Sequence, residues 1–117
     1  MTKLFNTETG DLLLDDLQIA DTFWKRFRGL QFRGSLPESS GLLLTPCSSI
    51  HTCWMRFSID VIMLDCERCV LGIRTRVSPW RAVVCERGTA HVIEVRPGSV
   101  GVPKGARLDW NGPPSTG

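Results

Sequence analysis

From Gly41 onward, β-branched and aromatic residues come in short runs broken by Pro, Gly and Ser, a pattern that limits the chain to brief strands. Gly41 to Thr45 reads as one strand, closed by Pro46. Ile50 to Phe57 reads as the next, with His51, Cys53 and Met55 on one face and Thr52, Trp54 and Arg56 on the other. Ile59 to Leu64 and Val70 to Val77 form a hairpin about the turn from Asp65 to Cys69. Further strands are predicted at Ala82 to Cys85, His91 to Val95 and Ala106 to Trp110, with Gly88, Pro97-Gly98 and Pro103 to Gly105 as punctuation. Earlier, Leu12 to Leu14 and the alternation of Leu17, Gln18 and Ile19 read as short strand up to Ala20. One segment has a different period. After Asp21, a residue suited to an N-cap, Phe23, Phe27 and Leu30 recur at helical spacing, and Gly29 can close the turn. Strands this short pair mainly antiparallel, and their sheet has to curl or be covered to bury an apolar face. The expected fold is α+β, mainly antiparallel β, a small barrel-like sheet with one short amphipathic helix.

Length and composition set the frame. The 117 residues are 42 % hydrophobic and 22 % charged, which fits one globular domain over 1–110 with a flexible C-terminal tail over 111–117. No apolar run approaches the roughly 20 residues of a membrane helix, and Met1 to Leu14 lacks the pattern of an export signal. The expectation is a soluble cytoplasmic protein with no membrane partner. A net charge of +2 is too mild for a nucleic-acid footprint. Two acid-free basic runs stand out, Lys25, Arg26, Arg28 and Arg33, then Arg68, Arg74, Arg76 and Arg81. If they converge, they suit a small anionic or polar ligand. The oligomeric state stays open.

The chemistry concentrates between Ile50 and Val61, where His51, Arg56 and Asp60 interrupt apolar strand. Burying any of these without a partner costs several kcal/mol, so each is at a rim, paired, or in a polar pocket. Asp60, between Ile59 and Val61, is the most telling, and the planar fork of Arg56 is a natural partner for it. In a straight strand the two lie about 13 Å apart, so meeting requires a bend. The leading reading is a binding or interaction module in which His51, Thr52, Arg56 and Asp60 line a pocket near Trp80 for a small anionic or hydroxylated ligand, with Arg26 contributing from the helix. The alternative is a small enzyme with His51 as general acid or base, Asp60 orienting it, and Arg56 holding an anionic substrate. A serine nucleophile at Ser48 or Ser49 lacks a surrounding Gly-x-Ser-x-Gly elbow.

Five cysteines in a chain read as cytoplasmic suit free thiols. Cys66-Glu67-Arg68-Cys69 spells C-x-x-C, and a zinc-stabilised domain is a second alternative if Cys47, His51 and Cys53 complete the ligand set, although their spacing is irregular. The leading reading calls for no metal and no cofactor. Glu94, alternating with Ile93 and Val95, reads as a solvated residue or a partner for a basic run, and His91 as an edge-strand residue.

Several of these segments carry a family resemblance. Gly41-Leu-Leu-Leu-Thr-Pro46, Ser49-Ile-His-Thr-Cys-Trp-Met-Arg56, Ile59-Asp-Val61, Leu64-Asp65 and Pro79-Trp-Arg81 are similar to the uncharacterised family called domain of unknown function 192. Ala20, Thr22, Arg26, Gly29-Leu30, Arg33 and Leu36 match its helical segment, and Glu94, Pro97-Gly98 and Gly105 match its end. The resemblance implies a small, mostly antiparallel β domain with a short helix and carries no established activity. Ser58 stands where the family often has Pro, Ala106 where an acid often follows the glycine, and the cysteines at 47, 53, 66 and 69 are outside the pattern.

Overall fold

A computed structural model describes residues 2–22, 35–53 and 55–111. Ten strands follow in chain order: β1 (Lys3–Asn6), β2 (Leu12–Leu14), β3 (Asp16–Ala20), β4 (Ser40–Leu44), β5 (Ser49–His51), β6 (Ile59–Leu64), β7 (Val70–Val77), β8 (Ala82–Val84), β9 (His91–Val95) and β10 (Leu108–Asn111). They form a five-stranded sheet in the order β3-β4-β9-β6-β7, a three-stranded sheet β10-β1-β2 and a two-stranded sheet β5-β8. In the large sheet β3 and β4 are parallel and the other pairs antiparallel. A parallel pair needs a crossover of a dozen or more residues, and 21–39 supply it.

The large sheet is the middle layer. Leu17, Leu43, Ile62, Leu64, Ile93 and Val95 pack on one side with Leu4, Leu14 and Leu108 from the three-stranded sheet. On the other side Leu42, Leu44, Ile59, Val61, Met63 and Val92 pack with Ile50 and Val83 from the two-stranded sheet. All six residues of β6 and the last four of β9 are therefore buried. Strands covered on both faces read as near-continuous apolar runs, which is why Ile59 to Leu64 shows so little alternation.

This architecture corrects the expected fold. Every described element is a strand, so the α+β assignment has no helix among the described residues, and most of the predicted helical segment, Phe23 to Leu30, lies outside them. Nor is there a barrel. The large sheet ends in β3 and β7, which do not pair with each other. Of the two ways to hide an apolar face, covering replaces curling, because small sheets lie against both sides. The strand predicted over Ile50 to Phe57 stops at His51. Thr52 N–H donates to Arg81 O, Trp80 N–H donates to Thr52 O, and Met55 N–H turns back to Thr52 O, so the backbone leaves the ladder there. β1, with Leu4 and Phe5 as its apolar residues, offers too short a pattern to read, yet it pairs with both β2 and β10.

Gly41 marks the tightest point of the middle layer. A Cβ there would lie 2.7 Å from Leu14 Cδ1, 3.1 Å from Val95 Cγ1 and 3.2 Å from Glu94 O. Gly41→Ala is expected to lower stability by about 1–3 kcal/mol through overpacking. Urea denaturation should register this as a lower midpoint with an unchanged slope.

Candidate functional site

Because β9 runs antiparallel to both β4 and β6, its C-terminal end meets the N-terminal ends of the other two. A cleft of about 410 Å³ opens at this edge, between the segments entering β4 and β6 and the one leaving β9. Leu36, Pro37, Phe57 and Pro97 give it apolar walls, and Ser35, Ser58 and Arg96 supply polar groups. Arg96 is exposed, so its guanidinium keeps its hydration until a ligand replaces it.

Asp60 braces this edge from beneath. Its side chain is 5 % exposed, and its two oxygens accept from different backbone amides, Arg76 N–H at 2.9 Å and Gly98 N–H at 2.9 Å. The first bond resolves a fault in the β6–β7 ladder. Between the pairs Ile59↔Val77 and Val61↔Arg74 the register shifts, and Arg76 takes a positive φ of 50°. Such a bulge removes an amide from the ladder, and the Asp60 carboxylate accepts it. The second bond holds Gly98, at φ 79°, in the turn whose Ser99 N–H donates to Arg96 O. The partner of Asp60 is thus backbone on two neighbouring segments, where the sequence suggests the Arg56 fork.

The other predicted site residues fall into separate places. Thr52, fully buried, is committed internally: its hydroxyl donates to Ser78 O at 2.7 Å and accepts Arg81 N–H at 2.8 Å. That ties the 78–81 loop to the end of β5 and holds Trp80 at φ 63°, 59 % exposed. His51 is half-buried and pairs with Ala82 in the β5–β8 sheet. Arg56 is exposed and precedes Phe57, which lines the cleft. Arg26 lies outside the described residues. None of the five described ones, His51, Thr52, Arg56, Asp60 and Trp80, is among the residues lining the cleft. Sequence reasoning passed over Arg96, Leu36 and Ser58 because each lies in a segment entering or leaving a strand, and which ends meet depends on strand order. Pro37 and the pair Pro97-Gly98 were the available signal, since they mark loops at strand ends.

Glu94 departs furthest from its reading as a solvated residue. It is 2 % exposed, and burial pushes its carboxyl up to about 8. Its register neighbours are Leu42 and Val61. Ile93 and Val95 pack on one face of the sheet and Val92 on the other, so Glu94 faces the side of Leu42, Val61 and Leu36. Oε1 has no hydrogen-bond partner among the described residues. His91 is half-buried, with Nδ1 2.7 Å from Thr45 Oγ1 and its ring edge-on to Trp110; burial, then the Arg68 guanidinium, hold it below the usual histidine range.

The thiols do not assemble a ligand set. Among the described residues no three His, Cys, Asp or Glu side chains gather as metal ligands. Cys66 is exposed and Cys69 half-buried in the β6–β7 turn, where Asp65 Oδ1 accepts from Glu67 N–H and Cys69 N–H. Cys85 is buried, and burial followed by the nearby Cys47 pushes its thiol up to about 11.

With fold and cleft in place, comparison with known proteins gives a consistent answer. The sequence model of the family described as uncharacterised ACR, domain of unknown function 192, matches residues 5–110. The chain belongs to this family. A UPF0127 protein of Thermococcus sibiricus is 35 % identical over 114 residues, covering 92 % of this chain and 73 % of the relative. A second UPF0127 protein, from Pyrococcus furiosus, is 33 % identical over 116 residues, covering 92 % of this chain and 97 % of the relative. Two crystal structures share the fold at 20 % identity and a TM-score of 0.79, each covering 93 % of this chain. One is a protein of unknown function from Novosphingobium aromaticivorans, matched over 83 % of its length; the other is a putative transcription regulator from Sinorhizobium meliloti, matched over 91 %. These relatives extend the family's β architecture to this chain and bring no activity with them.

Two outcomes follow from the buried acids. Asp60→Asn removes the charge from both amide bonds and turns one acceptor into a donor. A loss of about 2–4 kcal/mol is expected in urea denaturation, whereas Arg56→Ala should stay within about 0.5 kcal/mol of wild type. Glu94 acts through pH. Below its unfolded value of 4.5 both states hold the proton; between 4.5 and about 8 only the unfolded state ionises, so stability falls as pH rises. Relative to wild type, Glu94→Gln should gain on the order of a few kcal/mol between pH 5 and pH 8, read from urea midpoints at both values.

Proposed function

We infer that this chain is a binding module for a small anionic ligand, held in the cleft at the end of the five-stranded sheet. The observation that carries this reading is the exposed Arg96 at the wall of a hollow of about 410 Å³ whose other walls are mainly apolar. A volume of that order suits a small molecule, and a few polar groups in an apolar setting are what orients one. A guanidinium fork matches a carboxylate or phosphate with two parallel bonds. Ser58 adds a hydroxyl to the wall, and the exposed Arg56 precedes the wall residue Phe57 in the chain. The turn carrying Arg96 is fixed from below by Asp60, so less ordering is left for the moment of binding.

The enzyme reading has less behind it. The carboxylate proposed to orient His51 is bonded to two backbone amides, and His51 itself sits in the β5–β8 sheet. The zinc reading lacks a third ligand beside Cys66 and Cys69 among the described residues. A thermal-shift and calorimetric panel of inorganic phosphate, citrate and small phosphorylated and carboxylated compounds tests the anion site. Binding that raises the melting midpoint is expected, weakened at least about tenfold by Arg96→Ala and by a smaller factor by Phe57→Ala. No binding across the panel, or binding indifferent to Arg96→Ala, would overturn it.

A further inference from the structure

We propose that the cleft continues past Leu36 to the Glu94 carboxyl, so that its ligand is a hydroxylated anion: the anionic group on Arg96, a hydroxyl on Glu94. This rests on the reading of Arg96 as the anion's partner. Glu94 is the penultimate residue of β9 and Arg96 directly follows the strand, so their Cα atoms lie at most roughly 7 Å apart. Leu36 links the two levels. It lines the cleft, and it also belongs to the apolar cluster with Leu42 and Val61, the residues that flank Glu94 in the sheet.

No described residue bonds Oε1 of the carboxyl. Asp60, the other buried acid of the central strands, spends both oxygens on backbone amides, whereas Glu94 Oε1 has no partner among the described residues. An apolar side chain between Leu42 and Val61 would fill the same space without desolvating a polar group. A neutral carboxyl held there offers one donor and one acceptor, the complement of a hydroxyl, which also has one of each. A second anion would be a poorer match, because it would bring an uncompensated charge into an apolar site.

The test compares ligands that differ only in hydroxyls: glycerol 3-phosphate against n-propyl phosphate, and glycerate against propionate, each titrated calorimetrically. Wild type should prefer the hydroxylated member of at least one pair by about tenfold or more. Glu94→Leu, an apolar replacement among apolar neighbours, should reduce that ratio to near one, with the non-hydroxylated member still bound through Arg96. Glu94→Gln, which keeps a donor and an acceptor, should restore most of the preference. If every compound binds through Arg96 with no preference in wild type, or the preference survives in Glu94→Leu, the Glu94 assignment fails and the anion cleft stands. If none binds, the cleft reading fails and takes this inference with it.

Discussion

The two strands at the centre of the large sheet, β6 and β9, are covered on both faces, and this forces every polar side chain on them to be either bonded or neutral. Desolvation is the deciding term, since an ionised carboxylate in such a layer costs several kcal/mol unless donors replace its water. The two acids on these strands meet the constraint differently. Asp60 keeps donors, accepting from the amides of Arg76 and Gly98. Glu94 has apolar neighbours and is pushed toward its neutral form. One acid thereby stabilises the structure, and the other keeps an oxygen that no described residue bonds.

Both acids lead to the same edge of the sheet. Asp60 faces the side of Val95 and reaches past the end of β9 to Gly98, fixing the turn that presents Arg96. Glu94 faces the other side, the side on which Leu36, Leu42 and Val61 pack. The cleft lies where these two arrangements end, and its position follows from strand direction: antiparallel β9 brings its exit beside the entries to β4 and β6. Rigidity in the sheet and polarity at its rim are therefore consequences of one packing constraint. A ligand site on such an edge inherits a scaffold that is already ordered.

Much of the strand pattern was legible. The runs behind β4, β6, β7 and β9, and the hairpin turn at Asp65 to Cys69, followed from β-branched residues bounded by Pro, Gly and Asp. The segment after His51 misled, because Thr52, Cys53 and Met55 keep a strand-like alternation while Thr52 binds the 78–81 loop through backbone and hydroxyl alike. Asp60 was recognised as a buried acid needing a partner, but its partners are backbone amides, which every residue carries and no sequence pattern distinguishes. For Glu94 the alternation with Ile93 and Val95 correctly placed it on the opposite face. That the opposite face is also covered, by Leu36, Val61 and the β5–β8 sheet, is invisible along one strand.

The sequence by itself determined the local conformations, the apolar faces, and the presence of two acids where apolar packing was due, because period, turn chemistry and hydrophobicity are properties of neighbouring residues. Family membership was legible in the same way, from matched short segments. Tertiary structure alone decided that three sheets stack in layers instead of one curling closed, which acid is bonded and which is neutralised, and which strand ends frame the cleft. Those outcomes depend on strand order and on what covers each face, and both are set by contacts between segments far apart in the chain.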